Sequence, residues 1–139
     1  MNFSYGCTPH NWEYVFKTLA AKGMDFIPSV GPGYEDTAVR PWNRVHTKHR
    51  EAGNYYAEYF QKAISLRPRF ITVTSFNEWH EGTQIEPAVP FEAQNRIQNP
   101  VKYLEYSQGP FQYLQITKTY SKQYHPPTII NRNSGPRLP

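Results

Sequence analysis

Phe70-Ile71-Thr72-Val73-Thr74-Ser75-Phe76 runs straight into Asn77-Glu78-Trp79-His80-Glu81-Gly82-Thr83-Gln84-Ile85-Glu86-Pro87. The first seven residues are β-branched and aromatic, the pattern of a strand. The next eleven are mostly polar, and two of their three carboxylates, Glu78 and Glu81, stand three residues apart. Upstream, Arg67-Pro68 ends a helix expected from about Asn54 to Leu66, with Tyr56, Tyr59, Phe60, Ala63 and Leu66 along one stripe. Before that helix lies a polar loop from about Glu35 to Gly53, preceded by Gly31-Pro32-Gly33-Tyr34. The run Met24-Asp25-Phe26-Ile27-Pro28-Ser29-Val30 reads as a second strand, with Pro28 near its end because proline cannot donate to a ladder.

A first helix is expected from Thr8 to Lys22, with Thr8 as its cap, Pro9 at its first position and Gly23 as its left-handed stop. Trp12, Val15, Phe16, Leu19 and Ala20 keep the spacing of one buried face. A long loop from about Asn77 to Gly109 holds Pro87, Pro90 and Pro100. A third helix follows from Pro110 to about Tyr124, with Leu114, Thr117, Tyr120 and Tyr124 roughly aligned. Residues 126–139 read as a disordered, Pro-rich tail.

Helices and strands that alternate, with short links before strands and long loops after them, imply a parallel sheet with crossover helices. The fold class is α/β, and the loop pattern suits a (β/α)8 TIM-type barrel. Two strands cannot close a barrel, which takes about 250 residues. The chain has 139 residues. The chain is therefore expected to be a fragment of such a barrel, incomplete by itself.

With 38% hydrophobic and 16% aromatic residues, the chain is too apolar to be disordered outside its tail. Fifteen Lys and Arg against eleven Asp and Glu leave a net charge of +4. The densest basic run is Arg40, Arg44, Lys48 and Arg50, read as a solvated loop rather than a nucleic-acid surface. A single cysteine, Cys7, excludes an internal disulfide framework and a cysteine-based zinc site. No apolar run approaches the roughly 18 residues of a membrane span. Met1 to Gly6 has neither the basic start nor the apolar stretch of a secretory signal. Gly31-x-Gly33 lacks the Gly-Lys-Ser/Thr of a phosphate cradle and reads as a turn.

The loop after Phe76 carries the chemistry. Paired carboxylates serve glycoside hydrolysis, where one group protonates the leaving oxygen and another handles the anomeric carbon. Glu78 and Glu81 have that composition, interleaved with Trp79 and His80. A solvated loop with incidental charges is the competing reading. A metal site at His80, Glu81 and Glu86 is a third, but no second His stands at the i+4 spacing that zinc proteases use.

Ser75 to Glu86 closely resembles the signature of glycoside hydrolase family 99, the endo-α-1,2-mannosidases. Asn2-Phe3-Ser4-Tyr5-Gly6, the segment Phe26 to Tyr34, Arg40-Pro41-Trp42-Asn43 and Tyr55-Tyr56 are similar to the same family in the same order. The resemblance covers about residues 1 to 124 and implies that residues 1–125 are the C-terminal portion of a glycoside hydrolase barrel, its final two strands and the helices around them. It implies a (β/α)8 barrel enzyme that cuts an internal α-1,2-mannosidic bond in glucosylated mannose branches of N-glycans, with retention. No cofactor and no metal are expected. The resemblance places the family in the Golgi, anchored in animals by an N-terminal segment that this chain lacks; the chain itself reads as soluble.

Carried onto this sequence, Glu81 resembles the acid/base residue and Glu78 the base acting on the substrate's own 2-hydroxyl, which attacks to give a 1,2-anhydro sugar. Arg40, Asn77, Tyr34 and Trp79 are candidate sugar contacts. Arg40 has an equal alternative as a partner of Asp36 or Glu35. Tyr34 is as readily a packing residue, and Trp79 an inward wedge. The expected partner is an oligosaccharide, with no nucleic acid and no membrane segment in the chain. Alone, the chain is expected to be inactive, since other strands supply most of the cleft. The alternative is a non-catalytic carbohydrate-binding or regulatory remnant of the same fold.

Overall fold

The computed structural model describes residues 8–89, 104 and 106–128. Helix α1 (Pro9–Ala21) leads to strand β1 (Ser29–Val30), helix α2 (Asn54–Ser65), strand β2 (Thr72–Val73) and helix α3 (Gln112–Gln123). Between β1 and α2 lie two short 3-10 turns, Pro41–His46 and Glu51–Gly53, where the sequence reading expected plain loop. The strands pair in parallel, Ser29 opposite Thr72 and Val30 opposite Val73. A strand–helix–strand unit results, flanked by one helix on each side in sequence. The expected N-terminal segment at residues 2–6 and the tail from residue 129 onward lie outside the described residues, as do Pro90 and Pro100.

Both strands are much shorter than their apolar runs. Ladder bonds run from Thr72 N–H to the Pro28 carbonyl (3.0 Å) and from Thr74 N–H to the Val30 carbonyl (2.8 Å), and pairing stops there. Pro28 has no N–H to give, so β1 begins just after it. Beyond Thr74 the chain turns through a cis Thr74–Ser75 peptide into the polar loop. Phe70 and Phe76, expected inside the strand, flank the paired residues and are exposed.

Helix α1 starts at Pro9, whose missing donor is harmless at a first turn. Thr8 occupies the cap position, but its hydroxyl makes no capping bond; its carbonyl takes the Asn11 N–H instead. At the far end Gly23 N–H bonds the Ala20 carbonyl and Met24 N–H the Leu19 carbonyl, with Gly23 at φ +69°. That pair of bonds is a Schellman stop, and the positive φ explains the glycine. Of the expected face, Trp12 is buried, Val15, Phe16 and Leu19 are half-buried, and Ala20 is exposed.

The core centres on α2. Tyr56, Phe60 and Ala63 are buried along it, and Trp12 meets the Tyr59 ring edge-on at 5.5 Å. Helix α3 closes the other side: Tyr120 stacks on Phe60 at 5.3 Å, and Tyr113 lies 6.0 Å from Tyr56. Tyr56 also shares a 3.0 Å hydrogen bond with Thr117, and Tyr124 donates to the Pro68 carbonyl at 2.8 Å. The side chain at Tyr113, which the sequence reading did not single out, is the most buried aromatic on α3. Among the described residues no helix is long and apolar enough to cross a membrane.

Two substitutions separate packing from backbone effects. Phe60→Ala should lose about 3–5 kcal/mol of stability, because it leaves a hole between Tyr56 and Tyr120. Gly23→Ala, whose new methyl group meets nothing within 4 Å, should lose only about 1–2 kcal/mol from the left-handed backbone. Urea unfolding measures both, and the reverse order would contradict this packing.

Candidate active site

Both strands end at the same edge, and each releases a polar loop there. The loop after β1 is organised by one carboxylate, Asp36, which is only 1% exposed. The Tyr34 hydroxyl donates to its Oδ2 at 2.9 Å and Arg40 Nη1 to the same oxygen at 3.0 Å. Asn43 Nδ2 donates to both carboxylate oxygens, at 3.0 and 2.9 Å. Burial by itself would push the Asp36 carboxyl up; the hydrogen bonds from Asn43, Arg40 and Tyr34 outweigh it and hold the group below its ordinary 3.8. Burial, and then Asp36, push the Tyr34 phenol up, so it stays a neutral donor. The turn Pro41–His46 is therefore tied to Asp36 through Asn43 and Arg40.

The loop after β2 folds back on itself. Ser75 N–H donates to the Thr83 carbonyl (3.0 Å), Thr83 N–H to the Glu78 carbonyl (3.2 Å) and Ile85 N–H to the Phe76 carbonyl (2.8 Å). The Ser75 and Thr83 hydroxyls bond each other at 2.8 Å, and Glu78 N–H donates to Ser75 Oγ at 2.9 Å. These bonds keep Asn77 to Glu81 as a short projecting arc, with Glu78 exposed and Glu81 half-buried. The indole N–H of Trp79 donates to the Glu86 carboxylate across the base of the arc.

Several contacts bind this arc to the rest of the chain. Glu35 N–H donates to the Glu81 carbonyl at 2.9 Å, joining the two loops. Gly82, at φ +60°, lies so close that an added Cβ would sit 2.9 Å from the Glu35 carbonyl oxygen. Only glycine fits there. Arg50 Nη2 donates to the Gly82 carbonyl (2.9 Å) and the Gln84 carbonyl (2.8 Å), while its guanidinium lies 4.5 Å from the Tyr113 ring centre and 5.2 Å from that of Tyr106. The Tyr106 hydroxyl adds bonds to the Gln84 and Glu86 carbonyls. Burial, opposed by the Arg50 charge, pushes that phenol up to about 12, so it remains a donor at neutral pH.

The expected site residues fall on this double loop. Glu78 and Glu81 share the arc. Arg40 Nη1 stands 3.6 Å from Glu81 Oε1 and 3.0 Å from Asp36, so the pairing with Asp36 is present and the same guanidinium also faces Glu81. At 3.6 Å the second contact is charge attraction rather than a hydrogen bond. Tyr34 is buried with its hydroxyl on Asp36, Trp79 is half-buried against Glu86, and Asn77 is exposed on the arc.

The basic run does not behave as one solvated face. Arg40 turns onto two carboxylates, and Arg50 is buried beneath the arc at 6% exposure. A buried cation is unfavourable unless it is partnered, and here the carbonyls and rings supply the partners. The sequence reading missed Arg50, Asn43 and Tyr106. The i, i+4 spacing of Asp36 and Arg40 was the one local signal available; nothing in the pattern around Arg50 separates it from its exposed neighbours. Among the described residues no three His, Cys, Asp or Glu side chains group as metal ligands.

Residues 1–126 match the model of Glycosyl hydrolase family 99. The chain is 44% identical over 123 residues to a glycoprotein endo-alpha-1,2-mannosidase-like protein of Homo sapiens, covering 88% of this chain and 26% of that protein. It is 46% identical over 123 residues to the glycoprotein endo-alpha-1,2-mannosidase of Rattus norvegicus, with the same coverage of 88% and 26%. A solved family 99 endo-alpha-mannosidase from Bacteroides thetaiotaomicron superposes with a TM-score of 0.78 at 42% identity, covering 89% of this chain and 38% of that one. The chain thus spans about a quarter of the length of the curated relatives it matches. With a family match over nearly its whole length and two loops built around an acidic pair, the chain belongs to glycosyl hydrolase family 99.

Proposed function

We propose that this chain supplies the acid/base arc of a retaining endo-α-1,2-mannosidase, and that its two strands are the last two of a (β/α)8 barrel. The observation that carries the reading is the placement of Glu78 and Glu81 on one short arc at the end of β2, with Arg40 facing Glu81. Active sites of such barrels are built from the loops at this end of the strands. The substrate class is an oligosaccharide bearing an α-1,2-linked glucosyl-mannose branch, as in N-glycans of the Golgi.

Two carboxyl groups on one arc are awkwardly placed to straddle a sugar ring. A substrate hydroxyl acting as the nucleophile removes that need. Glu78 then requires only hydrogen-bond reach to the 2-hydroxyl, about 2.6–3.2 Å. In the first step the Glu81 carboxylic acid gives its proton to the glycosidic oxygen as the bond to the anomeric carbon breaks. The 2-oxygen attacks that carbon while its proton passes to Glu78, and a 1,2-anhydro sugar forms. In the second step Glu81, now a carboxylate, takes a proton from water. The water oxygen opens the three-membered ring at the anomeric carbon, and the 2-oxygen recovers its proton from Glu78. Two inversions give net retention. Arg40, held by Asp36, steadies the charge of Glu81 in the carboxylate state. Asn77, beside Glu78, meets a sugar hydroxyl in this reading, and Tyr34 and Trp79 support the two loops, Tyr34 through Asp36 and Trp79 through Glu86.

The other strands of the barrel are needed for turnover, because a displacement of about 1 Å can lower a rate roughly 100-fold. The reading is tested by grafting residues 1–126 into the Rattus norvegicus relative in place of the matching quarter. The chimera should release glucosyl-mannose with retention, and Glu81→Gln or Glu78→Gln should slow it about 100- to 10,000-fold. The 139-residue chain alone should not cleave the oligosaccharide. A chimera that binds the glycan but never cleaves it would support the binding remnant instead.

Asp36 gives a second prediction through pH. Its folded-state carboxyl titrates below 3.8, so its stabilisation is full above that value and disappears as pH falls through the lower, folded-state value. Urea unfolding from about pH 6 to about pH 3 should show the parent chain losing stability more steeply than Asp36→Asn. Parallel curves would remove Asp36 as the ionised hub of the β1 loop.

A further inference from the structure

We propose that Arg50 is the positioning residue of the acidic arc: its guanidinium pins the Gly82 and Gln84 carbonyls and so fixes where Glu81 stands relative to Glu78. The roles of Glu78 and Glu81 rest on the mannosidase reading; the clamp itself does not.

The segment Gly82 to Gln84 is held along both edges. On one edge, the Thr83 amide, carbonyl and hydroxyl bond Glu78 and Ser75. On the other, the flanking carbonyls of Gly82 and Gln84 both accept from the single nitrogen Nη2 of Arg50. Glu81 is the residue just before this segment, so its direction is set by the pinned segment and by Glu35 on its own carbonyl. Arg50 reaches the arc from the start of the turn Glu51–Gly53, which leads into α2. Gln112 Nε2 donates to the Ala52 carbonyl at 2.7 Å and ties that same turn to α3. The clamp thereby refers the arc to the two core helices rather than to neighbouring loop.

The chemistry of the pin points the same way. Among the described residues two further guanidinium nitrogens, Nε and Nη1, are buried without a hydrogen-bond partner, and no carboxylate pairs with Arg50. Such a placement is costly, and an apolar side chain would fill the space without the cost. What arginine adds is a planar cation that stacks on Tyr106 and Tyr113 while giving two protons in one direction. Lysine keeps the charge but is a flexible point cation that cannot stack as a plane, so it does not substitute here.

The test is hydrogen exchange on the full chain with Arg50→Lys. The amides of Ser75, Thr83 and Ile85, and that of Glu35 bonded to Glu81, should exchange at least about tenfold faster, while the amides of α2 change less than about twofold. The Trp79 indole N–H resonance should shift or broaden at the same time, because its Glu86 partner closes the base of the arc. Unchanged loop exchange would overturn the inference. So would equal acceleration through α2, which is what a general structural role predicts. If Arg50→Lys does not fold, Tyr106→Phe decides. It removes the hydroxyl bonds to Gln84 and Glu86 but leaves the guanidinium bonds, so loop protection should persist, and its loss would overturn the clamp. No readout needs turnover. An inactive chimera beside a loop-specific exchange change removes the mannosidase reading and leaves the clamp standing. Unchanged exchange removes the clamp whatever the chimera does.

Discussion

A buried cation beside two tyrosine rings joins the acidic loop to the core helices. The Arg50 guanidinium gives two hydrogen bonds upward to the carbonyls of Gly82 and Gln84 and rests on Tyr106 and Tyr113 below. The two strands share only two residue pairs, so the sheet ladder is too short to orient what lies beyond it. The arc depends on contacts made outside the sheet. Hydrogen bonds to a charged donor are stronger than neutral ones, and partial burial shields these from competing water.

A second polar centre complements the first. Asp36 gathers Tyr34, Arg40 and Asn43, and through Arg40 it places a positive charge 3.6 Å from Glu81. The β1 loop thus meets the β2 loop through that charge and through the bond from Glu35 N–H to the Glu81 carbonyl, besides the two bonds from Arg50. One loop carries the acids and the other sets the electrostatic field around one of them. Glu78, exposed and away from Arg40, keeps a different environment.

Much of this was legible in the order of residues. Helices α1 and α2 follow from apolar spacing, and Pro9 and Gly23 mark the ends of α1 because their backbone chemistry allows little else. The acidic arc was legible as a composition after a strand. Strand length was not: Phe70 to Phe76 looks like seven residues of strand, yet only Thr72 and Val73 pair, because β propensity reports a side chain's fitness for a sheet and not whether a neighbour is there. Arg50 was hidden for a related reason. In sequence it is one more basic residue in a polar run. Its burial arises from Tyr106 and Tyr113, more than fifty residues away, and no local pattern encodes that meeting. The Asp36–Arg40 pair was within reach because both partners lie one turn apart.

The central claim is that Glu81 and Glu78 address two different oxygens of one sugar linkage. A crystal structure of the Glu81→Gln chimera with an uncleaved α-1,2-linked glucosyl-mannose oligosaccharide tests it most directly. The account predicts the residue-81 amide within about 3.2 Å of the glycosidic oxygen and the Glu78 carboxylate within the same reach of the neighbouring 2-hydroxyl. A bound sugar whose scissile linkage lies beyond hydrogen-bond reach of both side chains would contradict it.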